Sequence, residues 1–174
     1  MRIGTLLAVG VLLLAPGLTF GQDGPTPACA STDQALPPEF AAWTTRAGLA
    51  SATRRADLPA ASLRVGVAAN VALHPTPEVA YAVQPEKPGG SVSHGGMLEV
   101  RIARSGVYAV ALGSGAWIDV LRDLKPVVST AHGHGPACSS IRKVVDFPLT
   151  SGRYLIQISA NAGAELPVMI VARP

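Results

Sequence analysis

With 174 residues, 14 basic against 11 acidic side chains, a formal net charge of +3 and only 14% charged residues, the chain is neither a disordered polyelectrolyte nor a protein with a dense basic face. The charges are scattered, so no nucleic-acid partner is expected. With an N-terminal leader set aside, about 150 residues remain, enough for a single core.

Met1-Arg2 precede an almost unbroken apolar run from Ile3 to Ala15. One positive charge before such a run is the pattern of a secretory signal, and the run is too short to span a bilayer. We expect a Sec-type signal peptide over 1–21, cleaved after Gly21. No cysteine follows the run closely, so no membrane anchor is expected after cleavage. The mature chain is read as periplasmic or secreted. In an oxidising compartment its two cysteines, Cys29 and Cys138, read first as one disulfide. Closing a loop of about 110 residues stabilises by roughly 4 to 5 kcal/mol in the chain-entropy model. The competing reading, Cys138 as a thiolate metal ligand four residues after His134, leaves Cys29 unexplained.

Residues 22–62 read as an irregular lead-in with one short helix. Leu36, Phe40 and Trp43 recur at helical spacing, Asp33 stands upstream as a cap, and Pro37-Pro38 occupy the first turn, where proline is tolerated. From Thr44 to Ser62 alanine and arginine dominate without a period, which predicts a loop or frayed turn. From residue 63 to 174 short β-branched runs alternate with glycine and proline. Strands are expected at Val67–Leu73, Glu78–Val83, Met97–Ile102, Val107–Leu112, Trp117–Leu121, Pro126–Thr130, Arg142–Phe147, Arg153–Ser159 and Leu166–Val171. This pattern predicts an all-β domain, an antiparallel jelly-roll or Greek-key sandwich of eight or nine strands. An internal echo supports two halves: Ser105-Gly106-Val107-Tyr108 matches Ser151-Gly152-Arg153-Tyr154, each pair feeding a strand.

The Gly-x-Tyr hairpin followed by Ala116-Trp117-Ile118-Asp119-Val120 resembles small jelly-roll domains of the bacterial pre-peptidase C-terminal type, which implies a secreted accessory or binding domain. Three stretches, Pro85 to Gly96, Leu112 to Asp119 and His132 to Lys143, resemble small exported bacterial proteins commonly labelled homogentisate 1,2-dioxygenase. The likeness runs from about Leu73 to the C-terminus and implies an iron-dependent oxygenase. The chain departs from the cupin pattern of that enzyme. A cupin His-x-His is followed within a few residues by glutamate, whereas His134 is followed by Gly135, Pro136, Ala137 and Cys138, and the next acid is Asp146.

The candidate site residues lie in two glycine-rich stretches, Lys87 to Gly96 and Ala131 to Lys143. His132 and His134 are two apart, so in extended backbone both rings project to one side, where neutral imidazoles suit copper, zinc or iron. His94, from the other stretch, would complete a three-histidine site. The alternative is that all three are ordinary turn residues. His74, flanked by proline, is read as having no function. Asp119 falls on the same strand face as Trp117 and Leu121, and a carboxylate there needs a partner. It either completes a metal site with the histidines or pairs with Lys143 or Arg142. Lys87, Arg142 and Lys143 would steer a small anionic ligand towards the metal; otherwise Arg142 and Lys143 are a solvated strand edge. Three functions remain open: a binding protein for a transition metal ion, a metal-dependent dioxygenase, and an interaction module without a small-molecule site.

Overall fold

The computed structural model describes Cys29 and residues 32–174. The expected signal peptide and most of the residues between it and 31 lie outside the described residues.

Alternation of apolar side chains along the strands builds two packed sheets. The first contains β1 (Arg46–Ala50), β3 (Ala68–Ala72), β6 (Gly106–Leu112), β9 (Ala131–Gly133), β10 (Lys143–Leu149) and β12 (Glu165–Ala172), in the order β1-β3-β12-β6-β10-β9. The second contains β2 (Ser62–Leu63), β5 (His94–Ile102), β7 (Trp117–Arg122), β8 (Lys125–Pro126) and β11 (Gly152–Asn161), in the order β2-β5-β11-β7-β8, with β4 (His74–Pro75) also on β5. Consecutive long strands change sheet, β5 to β6 to β7 and β10 to β11 to β12, which is the crossing connectivity of a jelly roll. Leu98, Val100, Ile102, Val110, Leu112, Phe147, Ile156, Ile158, Val168 and Ile170 meet between the sheets.

The expected all-β sandwich is therefore present, with differences of detail. Twelve strands occur among the described residues instead of eight or nine, because six short strands of two to five residues add to the six long ones. Two pairings, β1 with β3 and β2 with β5, are parallel. Both involve the segment from Thr44 to Ser62 that composition assigned to a loop. The expected helix is a 3-10 helix, Pro38–Thr44, and Asp33 does not cap it. Its carboxylate instead accepts from Ser140 N and Ser140 Oγ, both at 2.6 Å.

Glu78–Val83 is not a strand. It follows a single 3-10 turn and crosses the outer face of the second sheet, where Gln157 satisfies its backbone. Ala82 N and Val83 N donate to Gln157 Oε1, and Gln157 Nε2 donates to Val83 O at 2.9 Å. Paired backbone is obligatory when buried, and a side chain here replaces the ladder. The expected strand Pro126–Thr130 survives only as β8.

The first sheet is covered on its outer face as well. Phe40 and Trp43 from the 3-10 helix lie on Ala68, Ala109 and Ala111, whose small side chains leave room for the two rings, with Ile141, Val144, Met169 and Val171 around them. The disulfide Cys29–Cys138, with Cα atoms 5.4 Å apart, ties this cap to the segment between β9 and β10. A bonded pair of this kind is compatible with an oxidising, exported location.

The internal echo forms two corners that lie side by side. Ser105-Gly106 joins β5 to β6, Ser151-Gly152 joins β10 to β11, and Ser151 N donates to Ser105 Oγ at 3.3 Å. Each corner is held by its tyrosine: Tyr108 Oη donates to Arg104 O at 2.8 Å, and Tyr154 Oη accepts from Thr150 N at 3.0 Å. Tyrosine hydroxyls bonding back to the chain a few residues upstream fix such corners in sandwiches.

Candidate functional site

Short end strands leave the sandwich open along one edge. β8 covers only Leu121 and Arg122 of β7, and β9 covers only Val144 to Asp146 of β10. Between these two edges lies a cleft of about 370 Å³. Its floor is apolar, with Ile118, Val120, Val145 and Phe147, and the connection Val127 to Ser129, exposed from Val128 onward, forms one wall. Trp117, Asp119, Glu86, His132 and Lys143 supply the polar rim. Apolar clefts with a few convergent polar groups are the usual form of small-molecule sites.

Trp117 organises the rim. Lys87 Nζ lies 4.6 Å and Lys143 Nζ 5.1 Å from its ring centroid, both within cation–π range. Lys143 Nζ donates to Ala116 O at 2.8 Å. Burial, and then the charge of Lys87, push the Lys143 ammonium below its ordinary pKa. Trp117 Nε1 donates to Asp119 Oδ1 at 3.0 Å.

Asp119 has no cation as partner among the described residues; neither Lys143 nor Arg142 pairs with it. Its Oδ2 is buried and has no hydrogen bond of good geometry; Gln157, opposite it in the ladder, gives one amide N–H to Val83 O and acts on Asp119 through the other. Burial chiefly, and the charge of Glu86, push the Asp119 carboxyl above its ordinary pKa, against the pull of the Trp117 indole and the Gln157 amide. Burial, and then the Asp119 charge, push the Tyr81 phenol up to about 12. A raised carboxyl pKa means that the folded state binds the proton more tightly than the unfolded chain. The contribution to stability is present at low pH and is lost as pH rises from the unfolded value through the folded one. Asp119→Asn is therefore expected to raise Tm at pH 7, with the gain shrinking towards pH 3; thermal melts at both pH values check this, and a gain independent of pH would contradict it.

The sequence-predicted metal ligands are distributed over the fold. His132 lies opposite Val145 on β9 and reaches the cleft side by alternation. His132 and His134, both exposed, also line an adjoining shallow depression with Gly115, Gly133, Arg142 and Lys143. His94 is elsewhere. It begins β5, which β11 separates from β7, and its Nδ1 is buried without a partner. Among the described residues no group of three or more His, Cys, Asp and Glu side chains stands close enough together to hold a metal ion. His94, His132, His134 and Asp119 thus do not assemble as one ligand set. His74 Nε2 donates to Ser51 O at 3.1 Å, an ordinary structural role.

The stretch His94-Gly95-Gly96 is strand rather than loop. A Cβ on Gly95 would stand 1.9 Å from Tyr81 Oη, and one on Gly96 would stand 2.1 Å from Ser51 Oγ, so glycine here permits close packing. Of the three expected steering cations, Arg142 and Lys143 line the basic depression, while Lys87 sits on Trp117. Sequence reasoning missed Trp117 and Glu86 as rim residues. The signal for Trp117 was its alternation with Asp119; for Glu86 there was none, since it reaches the cleft from the segment crossing the second sheet. No protein-family model matches the chain, and neither does any curated protein.

Proposed function

We propose that the protein is an exported, non-enzymatic binding protein whose ligand is a small anion with an apolar body. One observation carries this reading: Lys143 and His132 line both the apolar cleft and the basic depression beside it. A ligand with its apolar part on Val120, Val145 and Phe147 would present its anionic head to those two side chains, with Arg142 behind them. A desolvated ammonium on apolar walls favours an anion more than a solvated one does.

The anionic dye 8-anilinonaphthalene-1-sulfonate tests the reading. Saturable fluorescence enhancement is expected, and Lys143→Met should weaken binding about tenfold, the equivalent of one charge-assisted hydrogen bond. Arg64→Met, near the opposite edge of the second sheet, should leave binding unchanged. Equal affinity in the Lys143→Met variant overturns the assignment.

A second reading, a transition metal on His132 and His134, is supported by the depression that both rings line. Titration with Cu²⁺, Zn²⁺ and Fe²⁺ separates the two, because metal uptake abolished by His134→Ala favours the second. Oxygen uptake with homogentisate by metal-loaded protein would extend that result to the dioxygenase activity.

A further inference from the structure

The cleft has a second polar side that an anion alone leaves unmatched. Glu86 and Asp119 both line it, and among the described residues neither carboxylate has a cation within 4.0 Å. The two nearby ammonium groups are engaged otherwise, Lys87 and Lys143 over the face of Trp117, with Lys143 also donating to Ala116 O. One oxygen of Asp119 accepts from the indole N–H, and the other is closed to solvent, so a cation in the cleft would meet the charge of the carboxylate rather than that oxygen. Two neighbouring carboxylates without a cation disfavour one another's charge, and a cation relieves them best. The basic and acidic sides are about one indole apart: Lys143 lies over the ring of Trp117 and Asp119 accepts from the nitrogen of that same ring.

From this arrangement we infer that the ligand is a small zwitterion, with its anionic head at Lys143 and His132, a primary ammonium at Asp119 and Glu86, and an apolar body about one ring long on the floor between them. The inference rests on the binding reading above and adds the second charge. Either charged group alone is expected to bind more weakly than the two together, since each leaves one side of the cleft uncompensated.

Isothermal titration with three compounds of one shape tests it. 4-(Aminomethyl)phenylacetate carries both charges, 4-methylphenylacetate only the anion, and 4-methylbenzylamine only the cation. The zwitterion is expected to bind about tenfold or more tightly than either of the others. Asp119→Asn should cut its affinity to near that of 4-methylphenylacetate and leave the latter unchanged. Glu86→Gln, an exposed site where folding is not at stake, should lower zwitterion affinity in the same direction. If 4-methylphenylacetate binds as tightly as the zwitterion, the inference fails while the anion-binding reading stands. If none of the three binds, both fail. If 4-methylbenzylamine binds as tightly as the zwitterion, the anionic head is wrong and both fail as well.

Discussion

Trp43→Ala should destabilise the protein by roughly 3 to 5 kcal/mol, the range for deleting a large aromatic side chain from a packed interior. Trp43 is fully buried on the outer face of the first sheet, packed beside Phe40 over Ala109 and Ala111. Its Nε1 donates to Ser140 Oγ at 2.8 Å, and Ser140 Oγ in turn donates to Asp33 Oδ2. Arg46 stacks on the same ring, its guanidinium carbon 4.8 Å from the centroid. Truncation thus removes apolar contact and a link in a hydrogen-bonded chain together. Urea unfolding followed by far-UV circular dichroism measures the loss. A change below about 1 kcal/mol, the size of an ordinary substitution, would mean that the 3-10 helix is not docked on the sheet.

Loss of the bridge should be of similar size. Cys138→Ser is expected to lower stability by about 4 kcal/mol in oxidised samples, from the loop-closure entropy of a bond between residues 109 apart in sequence. Under a reducing agent the native chain should fall to the level of the variant, and equal differences in both conditions would contradict the bridge. The two changes are not independent. Asp33 N donates to Cys138 O at 2.9 Å, so the bond and the ring anchor the same segment. The double variant should therefore lose less than the sum of the single ones.

The long strands were legible because a period of two survives wherever a sheet face is buried, as with Val145, Phe147 and Leu149 on β10. β1 and β2 were not, since Arg46-Ala47-Gly48-Leu49-Ala50 has neither β-branched residues nor alternation, and its place comes from parallel pairing with β3. Glu78–Val83 misled in the other direction. Its valines and tyrosine have strand propensity, but Gln157, 74 residues away from Val83, takes its backbone bonds. For the site, alternation alone placed Trp117 and Asp119 together. His94 stands apart from His132 and His134 because sequence spacing says nothing about which strand of which sheet a residue reaches. The cleft itself follows from how little of β7 and β10 their end strands cover, which is a tertiary property absent from any local window.

The paired Ser-Gly corners have a consequence for how the sandwich is put together. β5 pairs with β11 and β6 with β10, so each strand–corner–strand arch supplies one neighbour to each strand of the other: Gly106 lies opposite Leu149, and Gly152 opposite Ile102. The two arches thus meet as the halves of an isologous contact do, the first strand of each beside the second strand of the other. The cleft at the β8 and β9 edge takes Val145 and Phe147 from β10, a strand of one arch, and Ile118 and Val120 from β7, which belongs to neither.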